Sequence, residues 1–156
     1  MYQQLTVDKI GSSTAPCRLS HELEITSYIV AEEGYCLVVR ALEEKTTYNQ
    51  LECTDGTFQT IRRGDLIVGA LGERQALKGY SGRIPRRIQV GDVLHILNMG
   101  GILGQCTSDH PDLGPALRVE VLGAVVVDVD DQKRHARVQD HALEPVFSLT
   151  HSAPLV

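Results

Sequence analysis

The chain repeats one phrase. Residues 61–71 read I-R-R-G-D-L-I-V-G-A-L and residues 88–97 read I-Q-V-G-D-V-L-H-I-L. Superposed on Gly64-Asp65 and Gly91-Asp92, the stretches share I-x-x-G-D-[LV]-[IL] at a spacing of 27 residues. Glycine supplies a backbone position free to take positive φ, and aspartate hydrogen-bonds backbone within the turn. The runs that follow, Leu66–Leu71 and Val93–Leu97, are rich in branched apolar residues and too short for buried helices. They read as buried strands. Two such units in tandem predict an all-β, small barrel-like domain with an internal pseudo-repeat, which the rest of the chain has to close. Roughly seven to ten short strands are expected.

With 156 residues, the chain has the length of one domain over residues 1–156 with a sizeable core. There are five Tyr, two Phe and no Trp, so the core must be built from Val, Leu and Ile. The expected core is Ile25, Ile29, Leu37, Val39, Leu66, Val68, Leu71, Val93, Ile96, Leu103, Val119, Val121 and Val125. Cys17, Cys36, Cys53 and Cys106 are widely spaced with no C-x-x-C, and read as reduced, buried residues. No apolar run approaches the ~20 residues of a membrane helix, and Met1 does not open a signal peptide. The expectation is a cytoplasmic protein without a membrane partner.

Charge is distributed unevenly. The segment Arg62–Arg87 holds seven basic and two acidic residues, a net +5 inside a chain of net −5, which leaves −10 elsewhere. Five of those basic residues, Arg74, Lys78, Arg83, Arg86 and Arg87, fall between the two Gly-Asp units. Pro85 restricts Ile84 to extended backbone, so 82–87 should be extended and exposed. Arginine presents a rigid fork suited to phosphate or carboxylate. Nucleic-acid binding asks for more basic charge and interleaved aromatics, and Tyr80 alone is at hand. The segment fits an acidic partner protein or a phosphate-bearing small molecule better, with a solvated face as the simplest account.

Along the chain, Leu5–Ile10 alternates like a strand and 11–18 reads as a solvated loop. Within it, Lys9–Thr14 has the small polar residues of a phosphate loop without its order. Leu23–Val30 and Tyr35–Leu42 read as a hairpin joined through Gly34, and Asp55-Gly56 as the turn of a second hairpin. Glu73–Lys78 has room for one helical turn. Asn98-Met-Gly-Gly-Ile-Leu-Gly104 allows close backbone approach, to a neighbouring strand or to a ligand, and a barrel-corner turn or bulge is favoured. Leu117–Val127 is a long strand with a bend at Gly123, and Asp128–Arg137 a surface turn or short helix.

Candidate chemistry is sparse. Cys106 and His110, with Asp109 and Asp112, give one pair of metal-ligand types where zinc needs three or four ligands. His95 lies within a strand, more naturally packed than basic in function. Asp65 and Asp92 occupy equivalent positions and either cap their turns or face one another. No cofactor, metal or catalytic residue is assigned. The ligand- or partner-contact set is Arg74, Lys78, Arg83, Arg86, Arg87, Asn98, Gly100 and Gly101.

Residues 69–85 (G-A-L-G-E-R-Q-A-L-K-G-Y-S-G-R-I-P), 91–104 (G-D-V-L-H-I-L-N-M-G-G-I-L-G) and 119–125 (V-E-V-L-G-A-V) carry a resemblance. They are similar to the β-rich N-terminal region of uncharacterised bacterial proteins that continue into a P-loop NTPase domain. The resemblance covers roughly residues 64–156. It implies a non-catalytic accessory domain that docks on or regulates a following NTPase domain, with Ala153–Val156 leading into the phosphate-binding loop. The G-x-x-x-x-G-K-[ST] sequence is absent, so no nucleotide-binding residue carries over. The residues themselves suggest a second reading: a small-anion-binding enzyme or sensor, with a pocket at Asn98–Gly104 and Arg83–Arg87.

Overall fold

The computed structural model describes residues 2–75, 80–108 and 114–141. Lys78, Asp109, His110, Asp112 and the stretch 150–156 lie outside them. The described residues form twelve strands, more than expected from sequence because several are very short. These are β1 (Tyr2–Thr6), β2 (Lys9–Ile10), β3 (Glu22–Thr26), β4 (Cys36–Ala41), β5 (Gln50–Glu52), β6 (Phe58–Thr60), β7 (Leu66–Leu71), β8 (Ser81–Arg83), β9 (Val93–Ile96), β10 (Ile102–Ser108), β11 (Leu117–Val129) and β12 (Gln132–His135). A 3-10 helix covers Ser12–Cys17. No helix is long and apolar enough to cross a membrane among the described residues.

Five strands pair in a ring. β4 pairs with β7, β7 with β10, β10 with β9, β9 with β11, and β11 with β4. Leu37, Val39, Ile67, Leu71, Leu94, Ile96, Leu103, Val119 and Val121 of these strands are all buried in one cluster. Alternation sends Cys36, Val38 and Val68 to the opposite face, into a second cluster with Val7, Ile10, Leu23, Ile25 and Val125. β4 and β7 are therefore covered on both sides, which explains their continuous apolar runs. Gly123 marks a bulge, where the β11–β4 register slips between Val121 and Gly123. The extra residue resets alternation, so Val121 and Ala124 share the inner cluster.

Both Gly-Asp turns make the same hydrogen bonds. Gly64 (φ +89°) and Gly91 (φ +95°) adopt the left-handed backbone that favours glycine. Gly64 N donates to Ala41 O and Ala41 N to Asp65 O; Gly91 N donates to Val121 O and Val121 N to Asp92 O. Asp65 Oδ2 accepts from Arg62 N at 2.8 Å, and Asp92 Oδ2 from Gln89 N at 2.8 Å. Ala41 and Val121 stand symmetrically about the paired Arg40 and Glu120, whose side chains form an ion pair at 3.2 Å.

Several expectations change. Leu23–Val30 and Tyr35–Leu42 do not form a hairpin, because β11 runs between β3 and β4, with Ala124 opposite both Thr26 and Leu37. The Leu5–Ile10 strand divides into β1 and β2, which join different neighbours, β3 and β7. Residues 128–137 are chiefly a β11–β12 hairpin turning through Asp130 and Asp131, both at positive φ. Val93 is 49% exposed rather than core. It sits one residue from Leu94, which is buried in the first cluster, and among the described residues no second layer covers β9 as the N-terminal segment covers β7. Ile29 and Leu66 are only partly buried at the edges of the two clusters. The other expected core residues are buried, and β5–β6 forms the hairpin expected at Asp55-Gly56.

Candidate functional site

The glycine turn between β9 and β10 lies against the N-terminal segment. Leu97 N donates to Ile102 O, Gly101 N to Asn98 O, and Asn98 Oδ1 accepts from Ile102 N at 3.0 Å, so the corner is tightly wound. Ser13 N in turn donates to Gly100 O at 2.9 Å. A Cβ on Gly11 would fall 2.7 Å from that same Gly100 O. The close approach that the glycines permit is thus made by the chain's own backbone.

Residues 11–18 are not a solvated loop but this 3-10 helix, with Thr14 and Cys17 buried. Small polar side chains suit it: Thr14 Oγ1 donates to Gly11 O at 2.9 Å and Ser12 Oγ to Glu52 Oε1 at 3.1 Å. The first returns a hydroxyl to the carbonyl three residues earlier, and the second ties the helix to β5.

A third segment reaches the same place. Gly34 N donates to Leu71 O and Val138 N to Gly34 O, which fixes the helical residues 138–141 beside the end of β7. Gly34 is at φ +89°, and a Cβ there would lie 1.6 Å from Gln139 Oε1. Only glycine lets the Gln139 carboxamide lie where it does.

Between these segments is a cavity of about 220 Å³, walled by Ser13, Glu33, Gly34, Ala70, Leu71, Gly72, Glu73, Arg74, Asn98, Ile102, Val138 and Gln139. Ser13 Oγ and Gln139 Oε1 are buried there without a hydrogen-bond partner. Leaving a buried polar group unsatisfied costs about 1–3 kcal/mol. Most such groups in folded proteins are partnered, so two around one cavity are informative. The charged lining is mixed, with Arg74 beside Glu33 and Glu73.

Arg74 is held by paired backbone bonds with Gly82, each 3.0 Å, while Glu73 Oε2 accepts from Ile84 N at 3.2 Å. Arg74 and Glu73 also line a wider hollow of about 400 Å³, together with Gln75, Gly82, Arg83 and Thr107. The fold therefore unites Arg74 with Asn98 in the cavity, and Arg74 with Arg83 in the hollow. Gly100 and Gly101 lie beneath the Gly11–Ser13 backbone, Gly101 buried and Gly100 half-buried. Arg83, Arg86 and Arg87 are exposed, and the last two line neither space.

Other residues weighed from sequence have structural partners. Asp65 and Asp92 cap separate turns, and Asp65 also holds Lys9 Nζ at 2.6 Å. His95 Nδ1 accepts from Cys106 N at 3.2 Å. Tyr80 is 1% exposed, its hydroxyl bonded to Gly114 O and Lys45 Nζ at 2.8 Å each, and so belongs to the core. Burial around Lys45 pushes its ammonium pKa down. No group of three or more potential metal ligands occurs among the described residues.

Sequence reasoning missed Ser13 and Gln139. Ser13 had a signal, the small polar run directly after a strand. Gln139 had none, because only the long return of the chain past Gly34 places it. No family model matches the chain, and neither a curated protein nor a solved structure matches it.

Proposed function

We propose that this chain is a ligand-sensing β-barrel domain that takes a small polar molecule in the cavity between Ser13, Arg74, Asn98 and Gln139. One observation carries the reading: two buried side-chain oxygens without partners, Ser13 Oγ and Gln139 Oε1, line a single cavity. Mixed charge narrows the class. Arg74 favours a carboxylate or phosphate, whereas Gln139 Oε1 and the two glutamates favour a donor on the same molecule. The ligand is thus a small anion that also carries an O–H or N–H group.

The reading has a test that needs no ligand. A side chain kept for binding contributes little to folding and often costs stability. Ser13→Ala and Gln139→Met should leave urea-unfolding stability unchanged or raise it by up to about 1 kcal/mol each. A loss of more than 1 kcal/mol in both would make the two residues structural and end the proposal.

The ring of pairings β4–β7–β10–β9–β11 supports a closed five-stranded barrel. The matched bonds at Gly64 and Gly91 support two copies of one strand unit about a pseudo-two-fold axis at Arg40 and Glu120. The resemblance of residues 69–85, 91–104 and 119–125 supports a second role for the same domain, as an accessory to a P-loop NTPase domain. Reading the codons after Val156 tests this: a G-x-x-x-x-G-K-[ST] sequence within about ten residues is expected, and its absence from the gene refutes it.

A further inference from the structure

Cys17 ends the 3-10 helix and Cys36 opens β4, and their sulfurs lie 3.8 Å apart. Both side chains are buried, Cys36 at 1% and Cys17 at 9% exposure. A sulfur neighbour distinguishes the pair from the other two cysteines, although Cys36 Sγ also meets Gly34 O at 3.9 Å. Cys53 Sγ meets Leu51 O at 3.7 Å and Cys106 Sγ meets Ser108 O at 3.1 Å. A disulfide needs an S–S distance of about 2.05 Å, so closure draws the two sulfurs together by ~1.8 Å. The two cysteines stand 19 positions apart in sequence, and that length gives room to absorb the movement.

We infer that Cys17 and Cys36 form a peroxide-responsive thiol pair that oxidises to an intramolecular disulfide. The Cys17 thiolate attacks hydrogen peroxide, breaking the O–O bond; Cys17 becomes a sulfenic acid, and hydroxide leaves and takes up a proton as water. The Cys36 sulfur then attacks the Cys17 sulfur, the S–S bond forms, and the hydroxyl leaves as a second water. The two thiols lose two hydrogens and two electrons, and one peroxide becomes two waters. Position sets the order, since Cys17 is the less enclosed of the two. Its thiol pKa is lowered by the hydrogen bond from Cys36, while that bond and burial push the Cys36 thiol well up. A small oxidant is required because neither sulfur is open to a bulky disulfide.

The bond joins the helix that carries Ser13 to the residue two beyond Gly34, and so ties two walls of the cavity together. An effect on ligand binding rests on the function proposed above. The bond itself does not, and its test contains no ligand.

The full chain is treated with hydrogen peroxide, alkylated and digested with trypsin. Cys17 lies in tryptic peptide 10–18 and Cys36 in peptide 19–40, so a disulfide links two separable fragments. The expected result is that linked pair, about 2 Da below the summed thiol peptides, reversed by a reducing agent. In Cys36→Ser, unfolding in dimedone after the peroxide step should label Cys17; in Cys17→Ser, the same treatment should leave Cys36 unlabelled. Recovery of both peptides as free thiols, or as sulfinic acids without the linked pair, overturns the proposal. Labelling of Cys36 in place of Cys17 overturns the order of attack.

Discussion

Asp65 and Asp92 offer an internal control, because the same residue in the same turn has two different surroundings. Each carboxylate accepts one backbone N–H at 2.8 Å. Asp92 is exposed, and its loss in Asp92→Ala should cost about 1 kcal/mol, the value of one exposed charge-assisted bond. Asp65 also holds Lys9 Nζ at 2.6 Å, and Lys9 is only 9% exposed. Asp65→Ala removes the same turn bond and also strands an ammonium group inside the protein. Breaking a buried ion pair from one side typically costs about 3–5 kcal/mol, so Asp65→Ala should destabilise by about 4 kcal/mol. Replacing the pair together should cost far less, because an apolar side chain fills the Lys9 site without a desolvated charge. The double variant Lys9→Met with Asp65→Ala is expected to recover at least half of the loss. Urea unfolding monitored by circular dichroism measures all three, with comparable m-values as the check that only stability has changed. Equal losses for Asp65→Ala and Asp92→Ala, or no recovery on adding Lys9→Met, would refute the argument.

Three further outcomes are expected. Leu94→Ala should destabilise by about 2–4 kcal/mol and Val93→Thr by less than about 0.5 kcal/mol, since neighbours on β9 face opposite ways; urea midpoints report both. Tyr80→Phe should cost about 1–2 kcal/mol by leaving Gly114 O and Lys45 without the hydroxyl, measured by thermal unfolding. Burial lowers the pKa of His135, which packs edge-on against Tyr28 and Tyr35. The unfolded chain therefore binds this proton first, and the stability that His135 contributes is complete above about pH 6.5 and declines as pH falls below it. His135→Gln should show a shallower loss between pH 7.5 and 5.5; an identical pH profile would contradict the assignment.

Strands were legible wherever local pattern and turn chemistry agreed. The repeated Gly-Asp phrase located β7 and β9, and Asp55-Gly56 located the β5–β6 turn. Pairing was less legible, because it depends on which distant segment arrives. Nothing local to Leu23–Leu42 says that β11 enters between β3 and β4. Burial failed at Val93 for a related reason: the apolar run Val93–Leu97 reads as buried throughout, but Val93 faces away from Leu94, and only a covering layer like that over β7 would have hidden it. The candidate site was half visible. Arg74 and Asn98 stood out by charge and by glycine context. Ser13 lay in a run of small polar residues that suits a loop as well as a packed 3-10 helix. Gln139 becomes part of the site only through the positive φ of Gly34, which lets a carboxamide 105 residues later in the chain lie over it.

The most direct test of the ligand reading is a titration of the ¹⁵N-labelled full chain, followed by amide and side-chain carboxamide shifts. The probes are inorganic phosphate, lactate and serine, which combine an anionic group with donors in different ways. The account predicts that at least one shifts Ser13, Gly34, Gly72, Arg74 and the carboxamides of Asn98 and Gln139 together, with saturation, and that Ser13→Ala with Gln139→Met weakens it at least tenfold. Shifts confined to Arg83, Arg86 and Arg87, or none with any of the three probes, would contradict it.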